Sequence, residues 1–348
     1  MPAMQNAIRI SAAGARRKAF TALALLALAA CASLLFACVA GSVPLSVPDM
    51  LAALPDLMRG EPSSLAATLL QLRLGRALSA FVTGATLALA GVMMQALLRN
   101  PLADPYVLGV SGGAAVGALA AMLFLSAAWL IDLAAFGGAL AIALLLFGLA
   151  YRDLRGGMGP ENNAPMLLLT GVIVAAGCGA LVTLMLSIAP DSRLRGMVFW
   201  LIGDLSTAQA RMLPWIIWLA ALAFAMRAAR AINVVALHAE AAATLGVNVG
   251  RLRQGLFVCA ALLTASAVSS AGSIGFVGLI VPHACRFALG SDHRLLLPAA
   301  SLAGGSFLVL ADTLARSVLA PQQLPVGVIT ALIGVPVFLL QLHHIHRR

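Results

Sequence analysis

The chain has 348 residues, 62% of them hydrophobic and only 10% charged, with a net charge of +10 and a mean hydropathy of +1.01. A soluble domain carries about 25% charged residues, so this chain could not cover a water-facing surface, and a soluble globular fold is excluded. The basic excess does not point to nucleic acid. Apart from Lys18 the cations are arginines, scattered in short links between apolar runs, and they form no basic helix or stripe.

The apolar runs are about 18 to 24 residues long, the length needed to cross a hydrocarbon core of roughly 30 Å. In lipid each backbone polar group has to find its partner within the segment, so each run is expected to be a helix. In chain order the predicted spans are 19–41, 74–98, 106–128, 131–151, 165–189, 211–229, 254–271, 274–290, 296–316 and 324–342. The expectation is an all-α integral membrane protein of about ten transmembrane helices. A single permease-like domain, 19–342, would lie between a cytoplasmic tail at 1–18 and another at 343–348.

Between the first two spans, residues 42–72 hold Pro44, Pro48, Pro55 and Pro62 and read as an extramembrane loop. Residues 190–210 form a second outside segment, with a short helix expected from Arg193 to Gly203. The stretch Ala236 to Val247 has a helical pattern with one acid, Glu240, and stops at Gly246. Such a helix outside the membrane is either a connector or a knob that inserts into a partner's groove.

The sequence Leu28-Ala29-Ala30-Cys31 has the look of a lipoprotein cleavage box, but it lies in the middle of the first apolar run, and many spans follow. The first run is therefore read as an uncleaved span. All five cysteines fall inside apolar runs without a CxxC pair and are expected to behave as small buried hydrophobes.

Orientation follows from the arginines. With the N-terminus inside, Arg16, Arg17, Lys18, Arg99, Arg227, Arg230, Arg251 and Arg253 fall with the cytoplasmic majority. The outer minority is Arg59, Arg73, Arg76, Arg193, Arg195, Arg211 and Arg316. Both termini are therefore expected to be cytoplasmic. In the second span Gly84, Ala88, Gly91 and Gln95 share one helical face, which predicts a helix surrounded by protein rather than lipid.

The missing chemistry narrows the function. No GxxxxGK[ST] loop, no HExxH and no chain of intramembrane carboxylates occurs. Asp312 is the one acid well inside a span, one turn before Arg316, and a local Asp312–Arg316 pair is its expected state. His238, His283, His293, His343, His344 and His346 all fall at or near the cytoplasmic side, so no metal-ligand cluster lines a path. No catalytic and no metal site is expected. Arg73, Arg76 and Arg316 at the outer rim have two readings: snorkelling anchors, or a cationic rim that docks an acidic partner.

Several motifs in order resemble the iron-chelate, haem and vitamin B12 permease family of ABC importers. They are Leu72-Arg73-Leu74-Gly75-Arg76, Asn100-Pro101-Leu102-Ala103-Asp104-Pro105, Trp200 to Gly203, Gly275 to His283, Asp292-His293-Arg294, and Leu324-Pro325-Val326-Gly327. The resemblance runs from about Leu72 onward. Glycine at 75 and glutamine at 323 depart from the family's usual proline and glutamate.

The resemblance implies a vitamin B12 importer permease-like fold and a homodimer in the bacterial inner membrane, with one path on the two-fold axis. It implies two ABC ATPase subunits, which bind the ATP and Mg so that this subunit needs no cofactor, and a periplasmic binding protein. By the same resemblance Arg73, Arg76 and Arg316 would dock that protein, and Asn100, Leu102, Asn163 and Ala164 would form the cytoplasmic gate. Glu240, Ala243, Leu245 and Gly246 would couple to the ATPase. The expected cargo is an iron chelate, haem first and ferric siderophore next, or cobalamin. An ion-gradient-driven secondary transporter is the alternative, and it would need a buried acid near mid-membrane.

Overall fold

A computed structural model describes residues 2–41, 43, 46–59, 64–125, 127–151, 154, 164–206, 211–237, 242 and 244–346. Among the described residues there are twelve α-helices and no strand. They are α1 Pro2–Val39, α2 Val47–Arg59, α3 Leu65–Leu98, α4 Val110–Phe124, α5 Ala128–Leu149, α6 Ala164–Ile188, α7 Asp191–Ile202, α8 Met212–Leu237, α9 Val249–Ala271, α10 Val277–Leu289, α11 His293–Ser317 and α12 Val326–His346. All but α2 and α7 answer to the ten predicted spans. The short helix expected near 193–203 is α7.

The bundle is built around α3. Its most apolar stretch is 94% buried, against 17–22% for those of α1, α5, α6 and α8. The stripe of small residues is the reason. A Cβ added at Gly84 would stand 2.2 Å from the Gly304 carbonyl oxygen of α11, and one at Gly91 would stand 1.9 Å from the Gly278 oxygen of α10. Backbones that close leave no room for side chains, and the contact gains dispersion energy that lipid cannot match. Ser64 starts α3 by accepting from the Ala67 amide at 3.1 Å, and Arg99 ends it in the left-handed region at φ 50°.

The structure departs from the expected boundaries in three places. The proline-rich link at 42–72 holds α2, whose Ala53 packs with Cys38, Ala67 and Leu70. Pro48 sits in the first turn of α2, where an unbonded N–H is tolerated, and the helix's amphipathic spacing carries it through Pro55 in its interior. α3 begins at Leu65 rather than 74. α4 and α10 begin late, at Val110 and Val277, and have only 15 and 13 residues. At 1.5 Å per residue these are about 20–22 Å long, short of the roughly 30 Å of a hydrocarbon core.

The N-terminal segment expected as a tail continues α1 as helix from Pro2. The cysteines are free thiols, and Cys38, Cys178 and Cys285 are buried as expected. Cys31 differs: it is exposed on the outward side of α1.

Candidate functional site

The short spans are completed by irregular chain. Before α4, residues 99–109 include one 3-10 turn, Pro105–Leu108, which Asp104 caps by accepting from the Tyr106 amide at 2.7 Å. Before α10, residues 272–276 are irregular, with Gly272 at φ +70° and Phe276 in the left-handed region at φ +71°. The two irregular segments meet: the Tyr106 hydroxyl donates to the Ile274 carbonyl at 3.0 Å. Irregular backbone survives at such depth only where protein surrounds it, and both segments lie against α3.

The end of α7 and the start of α12 close on the same place. The Asp204 amide donates to the Ala271 carbonyl at 2.9 Å, and the Gly327 amide donates to the Gly203 carbonyl at 3.3 Å. A Cβ on Gly272 would stand 2.1 Å from the Trp200 oxygen, so this crossing admits only glycine. Four motifs far apart in sequence, those around residues 100–105, 200–203, 275–283 and 324–327, therefore share one junction. Periodicity could not have located it, because it is made from breaks in helices.

The end of the bundle where α1 and α11 finish gathers the three arginines singled out by sequence, but turns them inward. Arg73 is 7% exposed and donates to the carbonyls of Cys38 (3.0 Å), Val39 (2.9 Å) and Val43. Arg316, also buried, donates to the Ala37 carbonyl. These carbonyls belong to, or follow, the last turn of α1, where intrahelical partners run out and the helix dipole favours a cation.

Arg76 grips Asp312 at two points, Nε to Oδ2 at 2.9 Å and Nη2 to Oδ1 at 2.7 Å, and donates to Gln323 at 2.9 Å. The expected local ion pair of Asp312 with Arg316 is present, but it is the longer of the two that Asp312 makes. Arg316 Nε stands 3.9 Å away, while the main partner comes from α3. A fork-to-fork pair with Arg76 is the stronger geometry. Gln323 adds an uncharged acceptor to the network.

Just after the end of α3 Asn100 makes a turn, its Oδ1 accepting from the Leu102 amide at 2.9 Å, and both residues are exposed. Ala164 begins α6, and Asn163 lies outside the described residues. Glu240 and Ala243 also lie outside them. Leu245 is 70% exposed beside Gly246, which adopts φ +79°. His293 is a structural histidine: it is buried, and its Nδ1 lies 2.7 Å from Asn233 Oδ1, tying α8 to α11.

Sequence reasoning passed over two more arginines of the outer side. Arg193 donates to the Met122 (2.7 Å) and Leu123 (2.6 Å) carbonyls at the end of α4, and Arg211 pairs with Asp132 between α8 and α5. The signal was available, since Arg193 is a charge at a span boundary facing the negative C-terminal end of α4, and Arg211 and Asp132 are opposite charges at span boundaries.

The sequence profile of the FecCD transport family matches residues 25–344. The chain belongs to the FecCD transport family. Among relatives of this FecCD chain, the hemin transport system permease protein HmuU of Yersinia pestis is 42% identical over 278 residues, covering 78% of this chain and 81% of the relative. The cobalamin import system permease protein BtuC of Halobacterium salinarum is 42% identical over 306 residues, covering 86% and 80%. A solved structure of an ABC transporter of the metal-chelate type, in an inward-facing conformation, superposes with a TM-score of 0.79 at 29% identity, covering 93% of this chain and 99% of that one.

Membership makes this a multi-span membrane permease of ABC importers, a transport subunit rather than an enzyme. It also implies ABC ATPase partners and a dimeric permease.

Proposed function

We propose that the chain forms the homodimeric conduit of an ATP-driven importer, moving haem or another iron chelate, with cobalamin next, across the inner membrane by alternating access. Both termini would be cytoplasmic. Two ATPase subunits would bind ATP and Mg, and a periplasmic binding protein would deliver the cargo. The reading rests first on the 42% identity to a hemin permease, which spans 81% of that relative.

Geometry supports it in three ways. The α7–α12 contact through Gly203 and Gly327 closes the outer side of the junction and can serve as the outer gate. Exposed Leu245 beside Gly246 suits a knob for the ATPase groove, together with Glu240 and Ala243. Asn100 and Leu102, with Asn163 and Ala164, would then gate the cytoplasmic side. The rival driven by an ion gradient would need a free buried acid. Asp312 is instead held by Arg76 at 2.7 Å.

The docking role is revised. Because Arg73 and Arg316 are spent on α1 carbonyls and Arg76 on Asp312, these residues would shape the rim that receives the binding protein rather than supply its counter-charges. The test is uptake in liposomes containing the permease, its ATPase and its binding protein, with haem, a ferric siderophore and cobalamin offered in parallel. ATP-dependent haem accumulation is expected. Accumulation driven by an ion gradient without ATP would overturn the reading. Fully coupled uptake with both Glu240 and Leu245 changed to arginine would overturn the coupling assignment.

A further inference from the structure

Behind α7 lies a cavity of about 840 Å³, within the range of small-molecule pockets. It is walled by α7 on one side and α3, α5, α8 and the end of α9 on the others. Ser192, Arg195 and Phe199 share the face of α7 that looks into it.

Its charges are arranged in a particular way. Arg211 and Asp132 neutralise each other across the gap between α8 and α5. Arg195 and Asp204 line the same cavity, and among the described residues neither forms an ion pair. Arg195 stands over the Phe199 ring at 5.3 Å, and Asp204 accepts only from the amide and hydroxyl of Ser206. An occupant that suits this lining carries one anion and one cation. The wall also includes Ser79, a 95% buried residue by its 5% exposure, whose hydroxyl has no partner.

The surroundings identify the kind of molecule. Trp129, on the cavity wall, is 64% exposed, and the outward faces of α5 and α8 beside it present Leu133, Leu213 and Ile216 at 58–61% exposure. Tryptophan at the end of an apolar span marks the headgroup level of a bilayer. A zwitterion that meets a half-apolar cavity at that level is a phospholipid headgroup.

We propose that the cavity behind α7 binds a zwitterionic phospholipid of the outer leaflet bearing a primary ammonium, with its phosphate on Arg195 and its ammonium on Asp204. Phosphatidylethanolamine is the matching lipid. The phosphate contact is charge-assisted and the stronger of the two. A lipid held there props α7 away from α3 and α8 and so biases the helix that closes the junction.

The test needs neither ATP nor cargo, so its failure is separate from failure of the transport reading. The purified transporter is equilibrated in mixed micelles of equimolar phosphatidylethanolamine and phosphatidylglycerol and washed, and the retained lipid is quantified by mass spectrometry. The native chain should keep phosphatidylethanolamine over phosphatidylglycerol. Arg195→Gln, an exposed position, should lower retention of phosphatidylethanolamine by about tenfold with an unchanged elution profile.

Asp204→Asn should abolish the preference between the two lipids. Equal retention of both lipids by the native chain, or native selectivity in both variants, overturns the proposal. Displacement by soluble glycerophosphoethanolamine at equal concentration would show a free headgroup site and overturn the lipid assignment. Displacement of the lipid by haem, lost in Arg195→Gln, would make the cavity a cargo site and overturn it as well.

Discussion

α3 and α6 are both apolar, glycine-containing helices, and α6 is the more apolar, at a mean hydropathy of 2.3 against 1.8. Yet 94% of the α3 stretch is buried and only 17% of that of α6. The glycines explain the inversion. A Cβ at Gly84 or Gly91 of α3 would meet backbone oxygens of α11 and α10 near 2 Å, whereas one at Gly177 or Gly179 of α6 would meet nothing within 4 Å. In lipid, hydropathy brings a helix into the membrane but does not choose its neighbours; close backbone approach and polar pairing do. The uncommitted face of α6 is where a second copy of the chain would pack in the dimer we propose.

The comparison can be broken or sharpened by substitution. The largest effect is expected at the polar clasp that locks α3 to α11. Asp312→Ala leaves Arg76 and Arg316 buried without their carboxylate and should cost about 3–5 kcal/mol, read as loss of folded protein in a thermal melt followed by size exclusion. Replacing the pair together, Arg76→Met with Asp312→Leu, should recover most of that loss.

Next comes Gly91→Val in α3. With 1.9 Å available to its first carbon, it should cost about 1–3 kcal/mol or more in the same melt. The matching change on α6, Gly179→Val, should stay within about 0.5 kcal/mol in detergent-solubilised monomer while altering dimer recovery. Equal melts for the two glycine variants would refute the contrast between the helices.

A smaller effect is expected at the start of α11. Asp292 caps that helix through the Arg294 amide at 3.0 Å and accepts from Asn233 Nδ2 at 2.6 Å. Burial raises its carboxyl, but these two donors and the charges of Arg294 and His293 outweigh it and hold the group below its ordinary value of 3.8. Its contribution is therefore present above that value and lost as pH falls through the lower, folded-state value. Asp292→Ala should cost about 1 kcal/mol at neutral pH and nothing once the pH is well below the lowered folded-state value, measured as melts across pH.

The amino-acid order by itself determined the solvent, the ten apolar spans, the central place of α3, and the family, because hydropathy runs and small-residue spacing are local properties. It also marked Arg73, Arg76, Arg316 and Asp312 as a group of interest. Tertiary structure alone decided how they pair. The Arg76–Asp312 clasp joins residues 236 apart, and the local i,i+4 partner Arg316 stays at 3.9 Å from the carboxylate while its guanidinium also donates to the α1 carbonyl of Ala37. The same holds for the junction of α7, α12 and the two irregular segments. It exists where helical periodicity stops, and only folded neighbours can satisfy the backbone groups that such breaks expose.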